Sequence, residues 1–136
     1  MLLKNRTEQE KRIWGSFVGR FSLTDRQQEQ FISYFSFLVQ ENKKFNITAI
    51  VDFSSVVNDH FTDALALSEV TDLTKCKSLI DVGTGGGLPG IPLKILYPHM
   101  KLLLIEVNQK KATFLEEVAV RLDLENVEVC DQDWRS

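Results

Sequence analysis

Glycine placement constrains this chain more than any other feature. Five of its seven glycines fall between positions 83 and 90, in the segment Asp81-Val82-Gly83-Thr84-Gly85-Gly86-Gly87-Leu88-Pro89-Gly90. The segment follows Ser78 to Val82, a short apolar run that reads as a buried strand. It precedes Leu88 to Leu96, which reads as a helix whose Pro89 and Pro92 are tolerable only in the first turn. A glycine turn between strand and helix lets the backbone come close to a ligand at the strand's carboxyl end.

The pattern after residue 75 alternates. Lys101 to Val107 reads as a second strand ended by Glu106, and Asn108 as the cap of a helix carrying Lys111, Leu115, Val118 and Leu122 on one line. Asn126 to Cys130 reads as a third strand. Strand–helix–strand–helix–strand predicts right-handed crossovers and a parallel sheet. The expected fold is α/β, the first half of a Rossmann-like doubly wound domain over residues 75–136.

Residues 1–74 have helical periodicity instead and are expected to form a helical cap. Thr7 to Gly15 reads as a first helix, with Ile13, Trp14 and Phe17 on its apolar side. Thr24 and Gln27 make a capping-box pattern. They open a second helix whose Phe31, Tyr34, Phe35 and Leu38 recur at spacings of three and four, a stripe that reads as core. That helix is expected to end near Lys43 and Lys44, where positive charge suits a helix C-terminus. A connector spans residues 45–52, and Ser54 or Ser55 is expected to cap a third helix reaching about Leu67.

The glycine segment fits two chemistries. Gly85-x-Gly87-x-x-Gly90 matches a dinucleotide pattern, which alone is weak. Asp81-x-Gly83-x-Gly85-x-Gly87 matches the loop of S-adenosyl-L-methionine binders. Asp81 would repel the diphosphate of a dinucleotide, whereas S-adenosyl-L-methionine brings a sulfonium and an ammonium and carries no phosphate. Glu106, 21 residues after Gly85, is placed to accept hydrogen bonds from ribose hydroxyls. No Gly-Lys-Ser/Thr follows Gly90, which excludes a Walker A loop.

The composition is that of a water-soluble domain, 43% hydrophobic and 26% charged over 136 residues. No apolar run approaches the ~18 residues of a membrane span, and the polar N-terminus lacks a secretory leader's apolar stretch. A cytoplasmic setting is expected. Cys76 and Cys130 stand apart with no metal-ligand spacing, so no metal site is expected. Residues 1–50 carry eight Lys/Arg against five Asp/Glu and the remainder eight against fourteen, so a nucleic-acid contact would favour the N-terminal part.

Residues Asp81 to Leu93, with the tail Leu88-Pro89-Gly90-Ile91-Pro92-Leu93, resemble the signature of the glucose-inhibited division protein B family. Three further segments agree: Asn46 to Ile50, His60 to Leu65, and Lys110 to Leu115. The resemblance spans roughly residues 28–130. It implies a Rossmann-like, class I methyltransferase that uses S-adenosyl-L-methionine to modify N7 of a guanine in bacterial 16S rRNA of the small (30S) ribosomal subunit. On this resemblance the cofactor residues are Asp81, Gly83, Thr84, Gly85, Gly87, Leu88, Glu106, Asp131 and Gln132. Substrate-side candidates are Asn46, Thr48, His60, Lys110 and Lys111. N7 has a free lone pair and loses no proton on attack, so no catalytic base is expected. The family fold continues past a third strand, so this chain reads as an N-terminal portion or a truncated copy. An unpaired first strand would then invite self-association. The alternatives are a non-catalytic S-adenosyl-L-methionine-binding or interaction domain and an NAD-dependent oxidoreductase.

Overall fold

The computed structural model describes residues 3–45 and 52–132. The elements run α1 (Glu8–Phe21), α2 (Asp25–Phe45), α3 (Phe53–Ser55), a π-helical turn (Val56–Phe61), α4 (Thr62–Val70), β1 (Ser78–Val82), α5 (Gly90–Leu96), β2 (Lys101–Ile105), α6 (Gln109–Arg121) and β3 (Val127–Cys130). Described residues of the helical cap and of the α/β part share one hydrophobic cluster, from Trp14 and Phe17 through Phe31 and Phe61 to Leu104 and Leu115.

Local chemistry sets the helix starts. Thr7 caps α1 in a reciprocal box with Glu10. Thr24 and Gln27 make the same exchange at α2, Gln27 N–H donating to Thr24 Oγ1 at 3.2 Å and Thr24 N–H to Gln27 Oε1 at 2.9 Å. The helix expected from Leu88 begins at Gly90, with Pro89 at its N-cap, and two further expectations move. The first helix continues past Gly15 to Phe21, because Phe17 is buried among Trp14, Phe31 and Phe61, and packing outweighs the glycine's low helix propensity. Asp52, rather than Ser54 or Ser55, caps the third helical segment, its Oδ2 accepting the Ser55 N–H at 3.1 Å.

That segment then widens into the π-helical turn. Both the backbone N–H and the hydroxyl of Thr62 donate to the carbonyl of Val57, five residues back. The turn buries Val56, Val57 and Phe61. Arg20 clasps Glu69 with two hydrogen bonds, tying α1 to α4.

The three described strands form a parallel sheet in the order β1-β2-β3, as expected. Leu79 pairs with Leu102 and Asp81 with Leu104 in register, so this row shares one face, where Leu102 and Leu104 are fully buried. Ile80 and Val82 point the other way and are 59% and 53% exposed. Among the described residues, one sheet face is covered, the other is open, and β1 is an edge.

Helix α2 is pinned to the α/β part by polar side chains along one face. Gln27 Nε2 donates to Ile95 O at 3.1 Å, closing the C-terminal end of α5. Gln30 Nε2 donates to Leu122 O at 2.9 Å, at the end of α6. These amides satisfy helix-end carbonyls that have no partner within their own helix.

Candidate functional site

The turn after β1 lies at the carboxyl edge of the sheet and is braced from four directions. Gly83 N–H and Thr84 N–H both donate to Ile105 O, at 2.9 and 3.3 Å. Asp81 Oδ2 accepts the Thr84 hydroxyl at 2.8 Å and the Gly90 N–H at 2.9 Å, bridging the loop from its first residue to the start of α5. Glu106 Oε1 accepts the Gly85 N–H and its Oε2 accepts the Asn108 N–H, each at 2.9 Å. From the opposite side, Tyr34 on α2 donates its hydroxyl to Gly86 O at 2.5 Å.

The glycines divide into two kinds. Gly83 and Gly85 take φ of +69° and +62°, and a side chain built on either would meet nothing within 4 Å. Their α-carbons face open space. Gly87 faces the protein: a Cβ there would lie 2.7 Å from Ile91 Cγ1, 2.9 Å from the Tyr34 hydroxyl and 3.0 Å from Leu115 Cδ2. The open side of the loop is therefore its first half.

Electrostatics follow burial. Desolvation pushes the Asp81 carboxyl above its usual range, while the hydrogen bonds from Thr84 and Gly90 pull it down. Burial, with the nearby Asp81 charge, holds Tyr34 well above the ordinary phenol value, so it stays a neutral donor.

Gathered at this edge are Asp81, Gly83, Thr84, Gly85, Gly87, Leu88 and Glu106. Glu106 is buried and sits just beyond β2, which ends at Ile105, two residues short of the expected Val107. Thr84 is buried under the loop, and Leu88 packs half-buried against the core. Asp131 and Gln132 are exposed beyond β3. Lys110 is exposed at the start of α6 and lines a groove of about 480 Å³ between α2 and α6, with Lys44, Arg121 and Phe114. Lys111 is half-buried beside it, its N–H capped by Asn108 Oδ1 at 3.1 Å. His60 lies on the π-helical turn, its Nε2 buried with no hydrogen-bond partner among the described residues. Asn46 and Thr48 lie outside the described residues. Among the described residues no three His, Cys, Asp or Glu side chains converge as a metal site, and no helix is long and apolar enough to cross a membrane.

The apolar periodicity of α2 placed Tyr34 in the core, and it is there. Its bond to the loop was not legible, because a hydroxyl within an aromatic stripe says nothing of the carbonyl it will meet.

A family model described as rRNA small subunit methyltransferase G matches residues 27–136. The chain belongs to this family. A protein of Aster yellows witches'-broom phytoplasma, named ribosomal RNA small subunit methyltransferase G, is 44% identical over 112 residues, covering 82% of this chain and 53% of its own length. A Staphylococcus saprophyticus protein of the same name is 44% identical over 105 residues, 77% of this chain and 44% of its own. This family member thus spans about half the length of the curated relatives it matches first. A Mycoplasma mycoides relative of that name differs in this respect: it is 39% identical over 121 residues, 88% of each chain. The methyltransferase family and the parallel Rossmann-like sheet expected from the sequence both hold.

Proposed function

We propose that this chain is the cofactor-binding part of an S-adenosyl-L-methionine-dependent methyltransferase acting on N7 of a guanine in bacterial 16S rRNA of the 30S subunit, in the cytoplasm. The observation that carries the reading is the juxtaposition of open Gly83 and Gly85 with the buried Glu106 carboxylate at the carboxyl ends of β1 and β2. Those residues fit the cofactor. The loop has room on its first half, and Glu106 has acceptor capacity beyond one amide per oxygen, suited to ribose hydroxyls. Asp131 and Gln132 are assigned to the adenine side.

When bound, S-adenosyl-L-methionine supplies an electrophilic methyl group to the N7 lone pair, a transfer that releases no proton at N7. The residues' work is accordingly to hold and orient. Asp81 and Thr84 brace the turn, Gly83 and Gly85 admit the ligand's approach, and Glu106 ties the loop to the turn after β2. Positioning of this kind supplies several kcal/mol of barrier reduction, of the order of 7–11 in well-oriented systems. Lys110 and Lys111 are assigned to rRNA phosphate; Lys44 stands across the groove on α2 and Arg121 further along α6, with Glu41 and Glu117 in the same lining. His60, Asn46 and Thr48 are assigned to the substrate side. The open β1 edge and the exposed Ile80 and Val82 support self-association with a second copy of this chain.

Calorimetric titration of the 136-residue chain with S-adenosylhomocysteine and with NAD tests the cofactor. Binding of the first alone supports the reading, and binding of NAD alone overturns it. Methyl transfer to 30S subunits is expected to be slight for this chain by itself.

A further inference from the structure

Three side chains along helix α2, besides the exposed Arg26 that reaches Asp123, hydrogen-bond backbone carbonyls of the α/β part. Gln27 and Gln30 hold the C-terminal ends of α5 and α6, and Tyr34, one turn further, reaches the glycine loop 52 residues away in sequence. The first two contacts are at the far ends of the helices that flank the sheet. The third is at the ligand edge. Tyr34 has no freedom of its own. It is fully buried, stacks on Phe61 with ring centroids 5.6 Å apart, and packs in a cluster that includes Phe31.

We infer that Tyr34 is a positioning residue for the candidate cofactor loop: its hydroxyl turns the Gly86 carbonyl into the core and so fixes which side of the loop faces the ligand. The Gly86–Gly87 peptide is held at both ends: its N–H donates to Thr84 O at 3.1 Å within the turn, and its carbonyl accepts the Tyr34 hydroxyl, the tie that comes from outside the loop. With the carbonyl held inward, Gly87 packs against Tyr34, Ile91 and Leu115, while Gly83 and Gly85 keep their α-carbons toward open space. Glu106 pulls on the loop at Gly85 from the sheet side and Tyr34 at Gly86 from the helix side. Two adjacent residues are thereby held by partners from two different elements, which sets the loop before a ligand arrives. Such preorganisation lowers the ordering cost of binding. The inference rests on the cofactor reading for its ligand, though not for its geometry.

The test uses Tyr34→Phe in the 136-residue chain. Phenylalanine keeps the ring, its stack on Phe61 and the core volume, and removes only the donor. Amide hydrogen exchange without ligand is read at Gly85, Gly86 and Gly87, with β2 amides as the internal reference. Exchange at the loop is expected to quicken by about tenfold relative to β2, and S-adenosylhomocysteine affinity to fall by about tenfold, the scale of one lost hydrogen bond to a buried carbonyl. Phe31→Leu is the control. It loosens the same aromatic cluster without touching the loop and is expected to lower the thermal midpoint while leaving relative loop exchange and affinity unchanged. Parental loop exchange and affinity in Tyr34→Phe would overturn the inference, as would Phe31→Leu reproducing both effects. If the parent chain binds no S-adenosylhomocysteine, the cofactor reading falls, and loop exchange alone decides the role of Tyr34.

Discussion

Glu106 and Gly85 are 21 residues apart in the chain and meet at 2.9 Å, the carboxylate Oε1 accepting the amide N–H while Oε2 takes the N–H of Asn108. One buried acid thus joins the turn after β1 to the turn after β2. Both of its oxygens must accept.

That requirement separates two substitutions at this position. Glu106→Ala leaves two backbone donors without their acceptor and is expected to weaken S-adenosylhomocysteine binding by about 1–3 kcal/mol. Glu106→Gln keeps one acceptor but turns an NH2 toward a backbone N–H. It is therefore expected to resemble the alanine variant rather than the parent. Calorimetric titration of both variants checks this, and parental affinity in Glu106→Gln would contradict it.

The two kinds of glycine predict opposite phenotypes. Gly85→Ala places a methyl in open space on the ligand side at a left-handed φ, so it is expected to cost about 1–2 kcal/mol of stability and a larger share of ligand affinity. Gly87→Ala drives a methyl into Ile91, the Tyr34 hydroxyl and Leu115. It is expected to destabilise the fold by about 2 kcal/mol or more. Chemical unfolding and ligand titration of the pair decide it, and equal stability losses would refute the division.

Asp81 gives a pH signature. Burial raises its carboxyl in the folded chain, against the opposing hydrogen bonds from Thr84 and Gly90. A fold that holds the proton more tightly than the unfolded chain loses stability as pH rises from the ordinary value of 3.8 through the raised folded value. Asp81→Asn keeps an acceptor oxygen and has no proton to lose. Its stability relative to the parent is expected to improve as pH rises through this acidic window and to level off above it. Urea unfolding over a pH series measures the difference, and a flat or declining difference would exclude this account.

The open sheet face predicts concentration-dependent association. Parallel sheets are normally covered on both faces, yet Ile80 and Val82 lie on an exposed face of edge strand β1. The parent chain is expected to sediment as more than a monomer, and Ile80→Lys to shift it toward the monomer. A monodisperse parent monomer across the concentration range would count against self-association.

The readable parts of this protein were the local ones. The strand at Ser78–Val82, the capping box at Thr24 and Gln27 and the Asn108 cap each depend on residues within a few positions, and the structure has them. The reach of α1 to Phe21 was not readable, because Phe17 is held by aromatic rings from α2 and the π-helical turn. The Asp52 cap and the π-helical turn were missed for a related reason: several neighbouring polar residues could cap, and burial of Val56, Val57 and Phe61 chose among them.

The sequence by itself determined that a glycine turn would join a parallel strand to a helix with an acid 21 residues on, since spacing and alternation are properties of a linear pattern. Only the tertiary structure decided that Gly83 and Gly85 face outward while Gly87 faces the core, and that Tyr34 reaches the loop from α2. Glycine leaves the backbone a wide choice of direction, so that direction is set by the partners the fold brings against it, here the Ile105 carbonyl, the Glu106 carboxylate and the Tyr34 hydroxyl.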